Sequence, residues 1–282
     1  MFSDILLTVD YDRTLTAPDS TIPARNIEAI EYFIRHGGAF TVNTGRSLPM
    51  ARPFIGKFPV SAPLLLYNGS AAYDTATETF SRVYPIELDI TEFTTHLQAL
   101  FPDLVVEVQA MDTHHGLRRD ADWEKFSENG GCGWAYTEPV RIPGPFLKVS
   151  LNGSCAGHTA ASMYDATPEE FLRMKEAIDT VRRLYGHKVD VFHSVPKIAD
   201  IHAKGVSKLK AARDLQKAMG RKWLVCVGDA HNDVPMLDGA DFAYCPCDGV
   251  IADRYENVCC CGDGAVADVI YEKIPKILKN KA

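Results

Sequence analysis

The stretch Leu6-Leu7-Thr8-Val9-Asp10-Tyr11-Asp12-Arg13-Thr14-Leu15-Thr16 runs apolar and β-branched residues into two aspartates one position apart. A short apolar run of this kind reads as a buried strand. Side chains at i and i+2 of an extended chain point the same way, so extended geometry past Val9 would send Asp10 and Asp12 out on one side. Two carboxylates that close repel, and they need a cation, a shared proton or a solvated turn. An acidic turn and a chemically active strand end both satisfy the fragment, and the surrounding sequence has to separate them.

Working outward, residues 5–9 form the strand, and residues 23–36 carry the spacing of an amphipathic helix (Ile27, Ile30, Phe33, Ile34) closed by Gly37 and Gly38. Residues 39–42 and 63–67 read as further strands, so the order implies right-handed parallel crossovers. The pattern resumes late, with a helix over 206–219, a strand over 223–227, a helix through Met236, short strands near Phe242 and Val258, and a last helix from Ala265. The two ends are halves of one doubly wound α/β sheet. Between them lie longer strand-like runs (104–109, 146–151, 189–195, 198–202) and two helix starts. One follows Asp89; the other, Thr167-Pro168-Glu169-Glu170, has the form of a capping box. The simplest account is a core of residues 1–83 and 205–282 with an α/β module, 84–204, inserted in it. Segments 81–85 and 203–205 are then two linkers lying side by side, a hinge on which the module rocks as a lid.

At 282 residues the chain is long enough for about two domains. A composition 46% hydrophobic and 24% charged fits a globular protein with a sizeable core, and a net charge of −7 argues against a nucleic-acid scaffold. Apolar runs stay short of the ~18 residues a membrane helix needs, and Asp4 and Asp10 spoil the N-terminus as a secretory signal. The expectation is a cytoplasmic protein with neither membrane nor nucleic-acid partners. The eight cysteines are unevenly spaced, unlike a disulfide-stapled small fold.

Two more motifs fall at strand ends: Asn43-Thr44-Gly45-Arg46, and Gly228-Asp229-Ala230-His231-Asn232-Asp233. Open parallel sheets bind ligands beyond the carboxyl ends of their strands. Thr44 offers a hydroxyl and Gly45 an unobstructed N–H, groups suited to a phosphate oxygen. Asp229 and Asp233 bring carboxylates to a place already holding Asp10 and Asp12. Four carboxylates in one crevice call for a divalent cation, and oxygen-only ligands point to Mg²⁺.

These motifs, with Gly205-Val206-Ser207-Lys208, Asn68-Gly69 and Gly262-Asp263-Gly264, make the chain resemble the haloacid dehalogenase superfamily phosphatases of the Cof-like type, whose α/β (type IIB) cap is inserted between the second and third motifs. The resemblance implies a Rossmann-like core with a cap that sets specificity. It also implies a Mg²⁺-dependent phosphatase acting on a small phosphorylated metabolite, a sugar phosphate or similar phosphomonoester. Asp10 is then the nucleophile that forms an aspartyl phosphate, and Asp12 the acid and base. Thr44, Gly45 and Lys208 hold the transferring oxygens, with Arg46, Asn68 and Asn232 as further phosphate or substrate contacts. Asp10, Asp12 through its carbonyl, Asp229 and Asp233 supply the metal site, although Asn232 and Asp233 also suit a role orienting Lys208.

Alternatives within this frame are a phosphomutase and a phospho-ligand sensor without turnover. Lys204 is the second choice for the lysine. Arg13 stands where the family carries glycine, at a cost of about 1 kcal/mol if φ is positive there. Asp19 and Asp74 read as turn residues and His231 as a surface residue. The cap histidines His114, His115, His193 and His202 are not assigned to substrate, the first two reading as part of a hydrated loop. The substrate, the choice among Trp134, Lys148 and Arg118 as cap contacts, and the oligomeric state are not encoded legibly. Finally, Cys245 and Cys247 on one side, and Cys259, Cys260 and Cys261 on the other, follow two successive strands. They should approach within roughly 10 Å, as packing residues rather than as a disulfide or a metal site.

Overall fold

The computed structural model describes residues 1–129, 133–155 and 165–281. Its strands are β1 (Ile5–Val9), β2 (Ala39–Val42), β3 (Leu64–Leu66), β4 (Ala71–Asp74), β5 (Thr79–Val83), β6 (Val105–Gln109) and β7 (His114–Gly116), then β8 (Trp134–Tyr136), β9 (Lys148–Asn152), β10 (Val189–Val195), β11 (Ile198–Ala203), β12 (Trp223–Val227), β13 (Phe242–Pro246) and β14 (Glu256–Val258). The chain forms two compact units. One comprises Met1–Gly45, Phe54–Arg82 and the residues from Ser207 onward; the other comprises Arg46–Pro53 and Val83–Val206.

The first unit is built on a parallel sheet in the order β14-β13-β12-β1-β2. Leu7 sits between Val225 and Phe40 in register. Alternation along β1 sends Leu6 into a core with Leu224, Cys226, Ala211, Leu215 and Met236. The helix Ala24–Arg35 buries Ala29, Ile30 and Phe33, as its 3.6-residue period requires. The run expected as a third core strand behaves differently. β3 pairs antiparallel with β4 in a separate sheet, β3-β4-β5, and its link to the core sheet is a parallel bridge between Asn43 and Leu65. The Thr44 N–H donates to the Leu65 carbonyl (2.9 Å), a bond of that bridge, and the Thr44 carbonyl then accepts from Asn68 N–H (3.0 Å), where the chain has already turned out of β3.

The second unit carries a six-stranded sheet, β10-β11-β9-β6-β7-β8. The helices Ile90–Leu100 and Pro168–Tyr185 bury Phe93, Leu97, Ile178 and Val181 against Val106, Val108, Val149, Leu151 and Ile201. Asp89 caps the first helix, accepting from Thr91 N–H at 2.9 Å, and Thr167 with Glu170 forms a reciprocal capping box on the second. The intervening strand positions carry Glu107, Gln109, Lys148, Ser150, Asp200 and His202, all buried. Lys148 lies 3.4 Å from Asp200.

Two expectations are corrected here. Residues 114–116 are not a hydrated loop but strand β7, with His114 and His115 buried; His114 Nδ1 lies 2.6 Å from Glu107 Oε1 on the adjacent β6. Segment 46–53 belongs to the second unit, because Ser47 Oγ contacts His114 Nε2 at 2.7 Å and Arg52 pairs with Asp112 at 3.2 Å.

The cysteine clusters do meet. β13 and β14 run parallel, Pro246 opposite Val258, and Cys247 and Cys260 just beyond them are joined in a disulfide with Cα atoms 4.9 Å apart. This pairing corrects the expectation of packing alone: adjacent strand ends bring two Cα atoms into the separation a disulfide spans. Cys245 and Cys261 are the buried, packed members.

Candidate active site

β1 ends at Val9, and Asp10 N–H donates to the Val227 carbonyl at the end of β12, so the two strand ends are held together by backbone. The chain then enters a wide turn over Tyr11–Leu15 in which Arg13 adopts φ 57°, ψ 15°. Arg13 therefore occupies the left-handed conformation in which the resemblance would place glycine, and its N–H is satisfied by Thr16 Oγ1 at 3.2 Å. The turn swings Thr14 over to Asp229, where Thr14 Oγ1 donates to Oδ1 at 2.9 Å.

Lys208 opens the helix Lys208–Ala218, capped by Ser207. Its side chain is 1% exposed, and Nζ donates to Asp10 Oδ1 at 2.6 Å and to Asp233 Oδ1 at 2.7 Å. Asp233 spends its other oxygen on the backbone N–H groups of Asp229 (3.2 Å) and Ala230 (3.1 Å). It thus fixes both the lysine and the loop that carries Asp229. Asn43 anchors the same lysine from behind: its N–H donates to the Val9 carbonyl and its side-chain amide to the Lys208 carbonyl, each at 2.8 Å.

One oxygen from each of Asp10, Asp229 and Asp233 lies within 4.8 Å of the others, all three residues buried. Burial first, and then the neighbouring carboxylates of Asp233, Asp229 and Asp12, push Asp10 well above the ordinary carboxylate range, against the opposing charge of Lys208. Asp229 is pushed up to about 7 by burial and by Asp233, against the Thr14 hydrogen bond and the more distant charges of Lys208 and Arg13. Burial also works against the Lys208 ammonium, but Asp10 and Asp233 outweigh it and hold the lysine protonated well above its usual range. Three buried carboxylates share one buried ammonium, and a hard divalent cation fits this donor set. Asp10 and Asp229 are the better-placed donors, since both oxygens of Asp233 are engaged.

A second grouping lies along the β2–β3 loops. Thr44 and Asn68 are buried and joined through backbone, and a Cβ added at Gly45 would lie 2.9 Å from Asn68 Oδ1. Gly69, at φ 97°, lets its turn reach the Lys208 helix: a Cβ there would sit 2.4 Å from the Ser207 carbonyl. Asp12 is half-buried in the turn, and its charge contributes to raising Asp10. Asn232 is half-buried in the single turn His231–Asp233, with His231 exposed. Arg46 lies outside this grouping, in the second unit. Lys204 pairs with Asp190 at 2.6 Å in that unit, and Asp19 and Asp74 bond the backbone of their own turns. The sequence reading assigned no role to Asn43 or Thr14. Each lies inside a quoted stretch, Asn43 just after β2 and Thr14 in the turn after β1, and that position was the signal that could have found it.

The family model for haloacid dehalogenase-like hydrolases matches residues 7–125 and 157–246. Pyridoxal phosphate phosphatase YbhA of Escherichia coli (strain K12) is 24% identical over 243 residues, spanning 83% of this chain and 85% of that protein. The fold matches SMU.1108c from Streptococcus mutans UA159 with a TM-score of 0.78 at 15% identity, covering 98% of this chain and 100% of the other. It matches TM0651 from Thermotoga maritima with 0.74 at 19%, covering 96% and 97%. It matches the HAD subclass IIB sugar phosphatase BT4131 with 0.73 at 16%, covering 97% and 98%. The matched segments enclose every residue of the carboxylate and lysine cluster, and the chain belongs to the haloacid dehalogenase-like hydrolases.

Proposed function

We propose that the protein is a Mg²⁺-dependent phosphatase hydrolysing a small phosphomonoester through an aspartyl phosphate on Asp10. The observation that carries this reading is the Lys208 ammonium clamped between Asp10 and Asp233, 2.6 and 2.7 Å away, in a cluster completed by Asp229. A protonated lysine beside Asp10 opposes the burial that raises its pKa, and so favours the ionised carboxylate, the form that attacks phosphorus. In the first step the Asp10 oxygen bonds to phosphorus and the ester oxygen leaves, taking a proton from Asp12. In the second, Asp12 takes a proton from water, the water oxygen bonds to phosphorus, and the bond to Asp10 breaks. Lys208, the Thr44 hydroxyl and the Gly45 N–H are the donors for the transferring oxygens. Asp10 and Asp229, with the Asp12 carbonyl, would hold the Mg²⁺, whose charge makes attack of one anion on another feasible. Asp233 and Asn43 position Lys208; Thr14 positions Asp229.

The name of the Escherichia coli relative makes pyridoxal phosphate one arm of the substrate test, and the sugar phosphatase fold match makes hexose phosphates the other. Purified protein with Mg²⁺ should release inorganic phosphate from at least one class, and chelation should abolish release until Mg²⁺ is restored. Asp10→Asn should abolish turnover of every substrate. Asp12→Asn should cost roughly 10²–10⁴-fold on an alkyl ester but far less on a nitrophenyl ester, whose leaving group needs no proton. Near-normal turnover by Asp10→Asn would overturn the assignment.

A further inference from the structure

We infer that Cys247 and Cys260 are a reversible thiol–disulfide site that exchanges with small-molecule disulfides and, when closed, clamps two loops flanking the carboxylate cluster. The pair is set by backbone, independently of its own bond. Cys247 N–H donates to the Val258 carbonyl at 3.1 Å, extending the parallel ladder of β13 and β14 by one residue, and the Cys260 carbonyl accepts from Asp263 N–H at 2.9 Å. The Cα atoms are 4.9 Å apart, inside the span of a disulfide, and the backbone bonds that place them do not pass through the sulfurs.

Among the described cysteines, access selects the same pair. Cys247 is exposed and Cys260 half-buried, whereas Cys155, Cys226, Cys245 and Cys261 are buried. Cys259, also half-buried, faces Arg25 Nη1 at 3.8 Å. Its neighbour Cys260 is the one turned to Cys247.

The first loop is joined to the site, and the second loop to the first. In the loop after β13, Ile251 N–H donates to the Asp229 carbonyl at 3.4 Å, and Gly249 packs so tightly that a Cβ would come within 3.2 Å of Asp229 Cα. In the loop after β14, Cys261 N–H donates to Asp248 Oδ1 at 2.9 Å and its thiol to Oδ2 at 3.1 Å, which binds the second loop to the first. The Arg13 charge reaches this Asp248 and Cys261 pair as well. Closure of the disulfide therefore adds a covalent bond where the loops otherwise hold through the Asp248 carboxylate and the Cys247 N–H bond to Val258.

The chemistry balances with a small-molecule disulfide RSSR as oxidant. The Cys247 thiolate attacks one sulfur of RSSR, forming a mixed disulfide and releasing RS⁻; the Cys260 thiolate attacks the Cys247 sulfur and releases the second RS⁻. The two thiol protons end on two RSH, and two electrons pass from protein to RSSR. A dithiol reverses both steps.

The inference does not depend on the phosphatase reading, and its test reads mass and melting. The whole protein is equilibrated in oxidised and reduced glutathione at varied ratio, acid-quenched, alkylated and peptide-mapped. A Cys247–Cys260 crosslink should appear as the buffer becomes oxidising and vanish on adding dithiothreitol to the native protein. The wild-type melting temperature should fall by roughly 5 °C or more on reduction, and Cys247→Ser and Cys260→Ala should each abolish that redox-dependent shift. Full alkylation of Cys247 in wholly oxidised glutathione, a crosslink confined to Cys259 and Cys260, or near-stoichiometric zinc retained by the thiols of freshly purified protein would each overturn it.

Discussion

A lysine in the first turn of a helix ordinarily keeps its ammonium in water, yet that of Lys208 is held by two carboxylates at the foot of β1 and β12. Removing one partner of a buried charge cluster costs more than the cluster contributes, because the remaining charges are left uncompensated. Lys208→Met should therefore destabilise the protein by about 3–5 kcal/mol, measured as a shift of the denaturant midpoint, as well as abolish turnover. A midpoint within experimental error of the wild type would show that the carboxylates do not depend on it. Arg13 makes a different prediction. At φ 57° its Cβ is strained, so Arg13→Gly should stabilise by about 1 kcal/mol, whereas Arg13→Ala, which removes the same charge but keeps the Cβ, should not. Equal effects of the two would place the cost in the charge. Both residues illustrate what can be read from one sequence. The Asp10 and Asp229 motifs and the departure at Arg13 are local and visible. The bonds from Asn43 to Lys208 and from Thr14 to Asp229 join residues 165 and 215 positions apart, and no local pattern announces them.

Elements with a long hydrophobic period were legible, and short ones were not. The helix Pro168–Tyr185 was readable from its start because Thr167, Pro168 and Glu170 each satisfy a separate requirement of a helix N-terminus. Thr167 Oγ1 accepts from Glu170 N–H at 3.2 Å, the Glu170 carboxylate returns the bond to Thr167 N–H at 2.8 Å, and Lys197 holds that carboxylate at 3.2 Å. Thr167→Ala should cost about 1 kcal/mol, read from chemical denaturation. Thr167→Ser, which keeps the hydroxyl, should recover most of it; equal losses would assign the effect to the methyl group. β7 and β8, three residues each, are too short for alternation to register. β7 also holds two buried histidines, of which His114 is matched by Glu107 on the neighbouring strand, a partner that periodicity cannot supply. The same limit explains β3, three residues whose apolar run predicted a core strand but which meet the core sheet at one bridge and pair along their length with β4.

At the scale of the whole molecule, two units with separate hydrophobic cores need not melt together, and a multi-unit chain is where two-state behaviour commonly fails. The second unit carries a group that makes its stability depend on acid. His202 is fully buried on β11, and burial lowers its pKa to about 4; Lys148 also lowers it, while Asp200, the Leu147 backbone and Asp190 oppose. The folded imidazole is then neutral at pH values where an unfolded one, near 6.5, already binds a proton. Between these values the unfolded chain holds the extra proton, so stability rises with pH through the window and is lost as pH falls from about 6.5 towards 4. The linked loss amounts to roughly 3 kcal/mol by the lower limit. Asp200, held below the ordinary carboxylate range by Lys148, His202 and the hydroxyls of Ser194 and Ser150 despite its burial, adds a loss in the same direction at lower pH. Calorimetry at pH 7.5 and pH 5 should therefore show a transition that moves down in acid. Hydrogen exchange should place it in β9, β10 and β11 rather than in β1 and β12. His202→Gln removes the titrating group and should flatten that dependence between pH 6.5 and 5, whatever it costs at neutral pH. A slope unchanged by the substitution would mean that His202 is already charged in the folded protein.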